Sequence, residues 1–375
     1  MMRPSCIYIA RVKFTPSHTN GTKLCATMAV TSFSRLFFFL ISYLVLLFRL
    51  VTPFTNFPSC VRDSSPFALF DAKLDRLLHQ ASLKSPKISP LPGPGFCNAI
   101  YKIRDGRKEF VAKLLSQMAL DRRPTSSSFE VELLASRFDI GPRIIECTDD
   151  GTLMEFLDGT YLTEDDLNSP NGDDTLCKIA KQLKKLHSLP VAAESPNMLW
   201  FSLEAMLKGP SLNKDLRDEF VFQKAKIAPL ILQSSLVCGH GDFKPSNIYL
   251  TKEEDSVRFI DFELSGLTYR GFDISKLFRT EGRRNLENQR LFIRAYAGNS
   301  HDTKLLQLEA AVFDPLTWLE AAVFFDYAGR RDEPANAEKW RGLHKTRMSC
   351  YKASLQHFET SVASLEEYIS QNGLR

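Results

Sequence analysis

Apolar and polar residues alternate along the first part of the body of this chain, and longer helical patterns follow. Residues 99–115 alternate on both sides of a break at Asp105-Gly106, which predicts two strands joined by a tight turn. Short apolar runs predict further strands at 143–145, 152–156, 236–238, 248–250 and 257–260. The last three of these strands surround a polar loop.

Apolar residues at helical spacing mark the other segments. Residues 175–189 show the pattern well, with Leu176, Ile179, Ala180, Leu183 and Leu186 on one face. Helices are also predicted at 67–83, at 129–138, within 200–235 and through most of the chain after Ile274. Prolines and glycines predict a break at 85–95. Strands first and helices later predict an α+β body of two lobes.

The most apolar stretch of the chain is residues 36–48, between Arg35 and Arg49. As a helix it would span roughly 20 Å, less than the roughly 30 Å of a bilayer core, although 33–54 with both arginines snorkelling would suffice. Three interpretations remain open. They are a short signal-anchor helix, a cleaved signal or organellar transit sequence, and a helix packed on the body or a later start such as Met28.

Composition and charge narrow the class of protein. The chain has 375 residues and a net charge of +4, but residues 1–60 contain six Lys and Arg and no acidic residue, which leaves −2 on the body. A mildly acidic body argues against nucleic acid as the main partner. Eight cysteines without a C-x-x-C pair exclude a disulfide scaffold and make a zinc ribbon implausible.

The segments CGHGDFKPSNIYL (238–250) and VRFIDFELSG (257–266) contain the residues that point to chemistry. Asp242 and Asn247 lie in one loop between strands, and Asp261 ends the next strand. Asn247 and Asp261 offer the oxygen ligands that Mg²⁺ prefers. Asp242 can orient an attacking hydroxyl and accept its proton, and Lys244 can meet a transferred phosphoryl group.

This pattern resembles the catalytic loop and metal-binding segment of the protein-kinase-like superfamily. Within it, the chain is similar to the choline/ethanolamine kinase and aminoglycoside phosphotransferase branch. The resemblance implies a small β-rich N-lobe that binds ATP at 91–160 and a larger, mainly helical C-lobe at 161–375. A basic N-terminal segment with the hydrophobic run (1–54) and a connector with one helix (55–90) would precede them.

The same resemblance assigns roles at the nucleotide end of the site. Gly93, Gly95 and Asn98 match the loop that covers the phosphates, and Lys113 matches the strand lysine that contacts them. Glu130 is the expected partner of Lys113, with Glu132 as the second choice. Glu155 begins the linker 155–159, whose backbone would meet adenine. The chain has no Walker-type phosphate loop.

At the acceptor end, 261–273 resembles choline/ethanolamine kinases, because the metal motif is D-F-E and no A-P-E follows. By that resemblance Glu263, Tyr269 and Trp318 border an amino-alcohol pocket. A second tryptophan expected three residues later is Ala321, which leaves choline, ethanolamine or another amine open as the acceptor. Glu320 and Asp326 could add negative charge. His187 and Asp273 are interpreted as structural capping residues.

The expected function is therefore ATP- and Mg²⁺-dependent phosphorylation of choline or ethanolamine, the first step of phospholipid head-group synthesis. An aminoglycoside-type kinase of another hydroxyl compound and a non-catalytic, membrane-tethered binding protein remain alternatives. Basic residues before the hydrophobic run favour a cytosolic N-terminus with the body outside the cytosol. A need for ATP favours a membrane-associated protein with a cytoplasmic kinase domain, and a soluble or organelle-targeted protein also stays open.

Overall fold

The computed structural model describes residues 66–374 apart from 92–97, 125–128, 170–172, 193, 209–212, 232–234, 253–255, 281–284, 299–302 and 333. These residues belong to one compact unit, Ser64–Arg375. The hydrophobic run at 36–48 and the glycines Gly93 and Gly95 lie outside the described residues, so what was inferred from them stays a prediction. No helix in the described part of the chain is long and apolar enough to cross a membrane.

A five-stranded antiparallel sheet forms the N-terminal lobe. Its strands are β1 (Lys87–Pro90), β2 (Ala99–Asp105), β3 (Lys108–Leu114), β4 (Ile144–Thr148) and β5 (Gly151–Glu155), in the order β1-β2-β3-β5-β4. The β2–β3 turn uses Gly106 at a φ of 62°, a left-handed conformation that glycine adopts without steric cost. The predicted hairpin is thus confirmed.

The helix before this sheet packs on it. Helix α1 (Pro66–Gln80) buries Leu74, Leu77 and Leu78 in a cluster with Ile103 and other side chains of the sheet. The break expected at 85–95 contains β1, which pairs with β2. Pro90 ends this edge strand, where a missing N–H is tolerated. Residues 66–90 therefore belong to the N-terminal lobe and are more than a connector.

Helices make up most of the remaining chain. They are α2 (Gln117–Asp121), α3 (Glu130–Arg137), α4 (Glu164–Asn168), α5 (Asp173–His187), α6 (Met198–Met206), α7 (Lys214–Ile227), α8 (Arg270–Leu277), α9 (Leu286–Ala297), α10 (Thr303–Gly329), α11 (Ala337–Ser354) and α12 (Phe358–Gln371). All five residues of the predicted apolar face of α5 are buried. The predicted α+β class, β-rich first and helical later, is confirmed.

Two small sheets in the C-terminal lobe hold the polar loop. Strands β6 (Gly159–Tyr161), β8 (Ile248–Thr251) and β9 (Val257–Phe259) form one, and β7 (Leu236–Gly239) pairs with β10 (Gly266–Tyr269) in the other. β7, β8 and β9 were predicted, whereas β6 and β10 were not. The sequences of these two strands, GTY and GLTY, are mainly glycine and threonine and show no apolar pattern, so only pairing with a partner strand defines them.

Candidate active site

A cleft of about 650 Å³ lies between the N-terminal sheet and the C-terminal lobe. Lys113, Asp242, Lys244, Asn247 and Asp261 all line it. The structure therefore brings together the residues predicted for catalysis and metal binding, although they are up to 148 positions apart in the chain.

Strand pairing explains why the two polar loops meet. β7 pairs with β10 at Gly239 and Gly266, and β8 pairs with β9 at Ile248 and Phe259. The connection from β7 to β8 and the connection from β9 to β10 therefore leave the sheets side by side. The Ile260 amide donates to the Asn247 carbonyl at 3.0 Å and joins them.

His240 fastens the catalytic loop to the end of β9. Its Nδ1 accepts a hydrogen bond from the Asp242 amide at 3.3 Å, and its Nε2 lies 3.0 Å from the Ile260 carbonyl. A neutral imidazole with the proton on Nε2 satisfies both contacts. The ring is fully buried among aromatic side chains, and this burial lowers the pKa of His240.

We expect the free energy of unfolding to fall when the pH drops below 6.5, the ordinary histidine value. The folded state holds His240 neutral and the unfolded chain does not, so acid favours unfolding, by at most about 1.4 kcal/mol per pH unit for one group. Urea titrations between about pH 5 and 7.5 should show a smaller slope for His240→Gln than for the wild type. The exposed His357→Gln should keep the wild-type slope. Equal slopes for His240→Gln and the wild type would contradict this role.

Asp273 anchors the start of the same loop. Its carboxylate accepts hydrogen bonds from the amides of His240 at 2.7 Å and Gly241 at 2.9 Å, and it lies 3.1 Å from Nε2 of His187. Gly241 has a φ of 76°, and a Cβ there would lie 2.2 Å from the Leu264 carbonyl oxygen. These contacts support the structural interpretation of Asp273 and His187.

Two lysines hold the carboxylate of Asp242. Lys244 Nζ lies 2.7 Å from Oδ2, and Lys276 Nζ lies 2.9 Å from Oδ1. Burial alone would raise the pKa of Asp242, but the two ammonium groups outweigh it and hold the pKa well below its usual range. Asp242 is therefore ionised at neutral pH and fixed in direction.

Asn247 is positioned by the same carboxylate. It ends a short 3₁₀ turn, Pro245–Asn247, and its Nδ2 donates to the backbone carbonyl of Asp242 at 2.9 Å and to Oδ2 at 3.2 Å. With the amide nitrogen committed to Asp242, the amide oxygen is the atom that can serve as a metal ligand.

Asp261 has an uncommon backbone conformation for a residue with a side chain. Its φ is 68° and its ψ is 57°, in the left-handed region. Such residues cluster at active sites. The carboxylate forms an ion pair with Lys113, and although burial acts to raise the pKa of Asp261, Lys113 and Lys244 lower it. Asp261 and Asn247 thus present hard oxygen atoms to one cleft and suit a Mg²⁺ ion that completes its ligands with phosphates.

The predicted pairing of Lys113 with Glu130 is wrong. Glu130 is exposed at the start of α3, and Lys113 pairs with Asp261 and, at 3.8 Å, with Glu263. Burial acts to lower the pKa of Lys113, but Asp261, Glu263 and Glu132 raise it. Glu132, the second choice, is buried and acts on Lys113 through its charge. The difference arises because Glu132 lies on the inward face of α3 and Glu130 on the outward face.

The side chains of Asn98 and Glu155, which were predicted to lie near the nucleotide, form hydrogen bonds with other residues of the chain. Asn98 donates to Glu263 and accepts from the Ser116 amide at 3.2 Å. The Glu155 carboxylate accepts from the Arg143 amide at 2.7 Å. The cleft also has apolar and aromatic walls, formed by Leu91, Ile100, Val111, Met154, Tyr249 and Ile260.

Only two of the three residues predicted to border the acceptor line the cleft in the structure. Glu263 and Trp318 line the cleft, but Tyr269 does not. Tyr269 is buried, accepts a hydrogen bond from Trp200 at 3.0 Å and stacks on Phe313 at 5.3 Å. Tyr269 is therefore a core residue on the side of β10 that faces the helices, and its assignment to an amino-alcohol pocket is corrected.

Sequence reasoning missed the basic side chains of this end. Arg122, Lys276, Arg279 and Arg347 all line the cleft. Only Lys276 left a signal in the sequence, because it lies between apolar residues in GFDISKLF (271–278). In the structure every residue of this segment is buried. A lysine in such a helix needs an anionic partner, and here it has two, Asp242 and Glu320.

Comparisons with known proteins find relatives of this chain. The family model described as Choline/ethanolamine kinase matches residues 116–305. The chain is 25% identical over 167 residues to a probable ethanolamine kinase of Arabidopsis thaliana, covering 40% of this chain and 44% of that one. It is 30% identical over 166 residues to choline kinase alpha of Mus musculus, covering 39% and 36%. The chain thus spans less than half the length of these curated relatives.

A solved structure shows the same fold. The ethanolamine kinase of Plasmodium vivax superposes with a TM-score of 0.62 at 19% identity, covering 80% of this chain and 91% of that one. This likeness extends over both lobes and supports the kinase-like fold that the sequence pattern predicted.

Proposed function

Since the chain belongs to the choline/ethanolamine kinase family, we propose that it transfers the γ-phosphoryl group of Mg-ATP to the hydroxyl group of a small amino alcohol. The observation that carries the proposal is the convergence of Lys113, Asp242, Asn247 and Asp261 on one cleft. This set supplies a hydroxyl-orienting carboxylate, two oxygen ligands and a buried cation, the parts that phosphoryl transfer needs.

Asp242 orients the acceptor. The carboxylate accepts a hydrogen bond from the acceptor hydroxyl and receives its proton as the new O–P bond forms and the bond to ADP breaks. Because two lysines keep the pKa of Asp242 low, its main contribution is to fix the direction of the hydroxyl. Lys244, beside this carboxylate, places positive charge where the phosphoryl group passes.

Mg²⁺ would be held by Asp261 and Asn247, and when bound it neutralises the phosphate charge that builds up during transfer. Lys113 is buried next to Asp261 and supplies a fixed positive charge for the nucleotide phosphates. The left-handed backbone of Asp261 and the 3₁₀ turn before Asn247 fix both ligands before any substrate arrives.

Acceptor-dependent release of ADP tests the proposal. The full chain would be assayed with ATP, Mg²⁺ and one candidate acceptor at a time. The acceptors are ethanolamine and choline, which appear in the names of the relatives, and several aminoglycosides. We expect at least one small amino alcohol to raise ADP release well above the rate without acceptor, and removal of Mg²⁺ to abolish it. Nucleotide binding without stimulation by any acceptor would overturn the proposed reaction.

A further inference from the structure

Two aromatic side chains at the acceptor end of the cleft, Trp318 and Phe324, already have arginines against their rings. Trp318 has Arg279 and Arg347 against it, with guanidinium carbons 5.6 Å and 5.4 Å from the ring centroid. Arg122 lies 5.0 Å from the ring centroid of Phe324. Aromatic faces are what bind a quaternary ammonium group. At these two rings a cationic head group would compete with the protein's own guanidinium groups.

The buried carboxylates of this end are also engaged. Glu263 forms an ion pair with Arg122, and Glu320 Oε2 lies 3.0 Å from Lys276 and 3.6 Å from Arg279. A cationic ligand would have to displace one of these partners to reach either carboxylate. Such a displacement leaves a buried cation unpaired, which is costly.

One further carboxylate, Glu164, stands at the rim. It is exposed and accepts a hydrogen bond from the Thr280 hydroxyl at 2.7 Å. Solvent screens an exposed charge of this kind, so Glu164 attracts a cation only weakly.

Arg279 and Arg347 place two like charges around one ring. Burial lowers the pKa of Arg279, the carboxylates of Glu320 and Asp242 act to raise it, and the positive charge of Arg347 acts to lower it. Two guanidinium groups that both lie against one ring can bind an anion beside it, because their planar N–H donors match the oxygens of a carboxylate or phosphate.

Lys276 and Glu320 link the two arginines to Asp242. Lys276 Nζ contacts Asp242 Oδ1 at 2.9 Å and Glu320 Oε2 at 3.0 Å, and Glu320 contacts Arg279. A small molecule with its hydroxyl at Asp242 therefore has the arginines within reach of its other end.

We propose that the acceptor is an alcohol that also carries an anionic group, a carboxylate or a phosphate, which binds at Arg279 and Arg347 beside Trp318 while the hydroxyl lies at Asp242. This inference rests on the proposed phosphoryl transfer but changes its acceptor from a simple amino alcohol to an alcohol with an anionic group. A quaternary amino alcohol without an anionic group is a poor substrate for this site.

Matched acceptor pairs test the inference. L-serine is ethanolamine with an added carboxylate, and glycerol 3-phosphate is glycerol with an added phosphate, so the two pairs distinguish the two anionic groups. The full chain would be assayed for ADP release with each of the four compounds and with choline. We expect the anionic member of at least one pair to exceed its partner in kcat/KM by about tenfold to a hundredfold, as one charge-assisted hydrogen bond would give.

The variant Arg347→Gln tests whether Arg347 binds the anionic group of the acceptor. It should raise KM for the preferred anionic acceptor about tenfold or more while changing kcat little, and it should not raise KM for the uncharged or cationic partner. Arg341→Gln, which removes an exposed arginine on the same helix, is the matched control and should change neither constant.

The results separate this inference from the proposed function. Turnover of ethanolamine or choline that equals or exceeds that of both anionic compounds overturns the inference and leaves the kinase function intact. If no compound stimulates ADP release, binding is measured by calorimetry with Mg²⁺ and a non-hydrolysable ATP analogue. Binding of an anionic compound that Arg347→Gln weakens then supports the inference although the transfer function fails. If no anionic compound binds in this way, both the inference and the proposed function are overturned.

Discussion

Asp242→Asn should lower kcat by about 10²–10⁴-fold while leaving the affinity for Mg-ATP nearly unchanged. The substitution keeps the size of the side chain but removes the negative charge that Lys244 and Lys276 hold in place. An amide cannot receive the hydroxyl proton, and its oxygen aligns the hydroxyl less strongly. Steady-state ADP release and calorimetric titration with Mg-ATP measure the two effects separately.

A matched control for this variant is Asp174→Asn. Asp174 pairs with Lys178 at 2.7 Å, but its side chain is 81% exposed on α5, outside the cleft. This variant should keep wild-type kcat. If Asp242→Asn kept more than about a tenth of the wild-type rate, Asp242 would not have the role that general acid–base catalysis assigns to it.

Asp261→Asn should lower kcat/KM by about 10³-fold or more, because a bound metal ion contributes several kcal/mol of transition-state stabilisation. Asparagine tolerates the left-handed backbone at this position, so the change tests the charge and not the fold. We expect ATP to bind the wild type more tightly with Mg²⁺ than with EDTA, and the variant to lose most of that difference.

The binding measured in EDTA separates a metal ligand from a structural residue. Without Mg²⁺, Asp261→Asn releases Lys113 from its ion pair, so the affinity for ATP should stay the same or increase. Equal weakening with and without Mg²⁺ would show that Asp261 has only a structural role. Asp139→Asn is the control, because Asp139 also has a positive φ, 54°, but its side chain is 82% exposed.

The catalytic loop was recognisable from the sequence because its chemistry is local. Asp242, Asn247 and Asp261 lie within 20 positions of one another, between short apolar runs that the structure confirms as β7, β8 and β9. The apolar face of α5 was equally readable, since helical spacing determines which residues share a face. His187 and Asp273, interpreted as structural, contact each other and the loop backbone.

Local sequence patterns could not predict which residues contact Lys113 or whether Tyr269 faces the core. Glu130 and Glu132 are both near enough in the chain, and only the packing of α3 decides which of them is buried. Tyr269 ends a strand of four residues, and the pairing of β10 with β7 decides which side of that strand faces the core. Short elements carry too few residues for their pattern to identify the buried face.

The sequence by itself determined the fold class, the residues proposed for catalysis and metal binding, and the family to which the chain belongs. These features rest on local spacing or on motifs a few residues long. Only the tertiary structure decided which charges meet in the cleft, because Arg122 follows α2, Lys276 and Arg279 lie at the end of α8, and Arg347 lies on α11. The acceptor end therefore became visible only after folding, since the electrostatic environment of a cleft depends on distances in space and not along the chain.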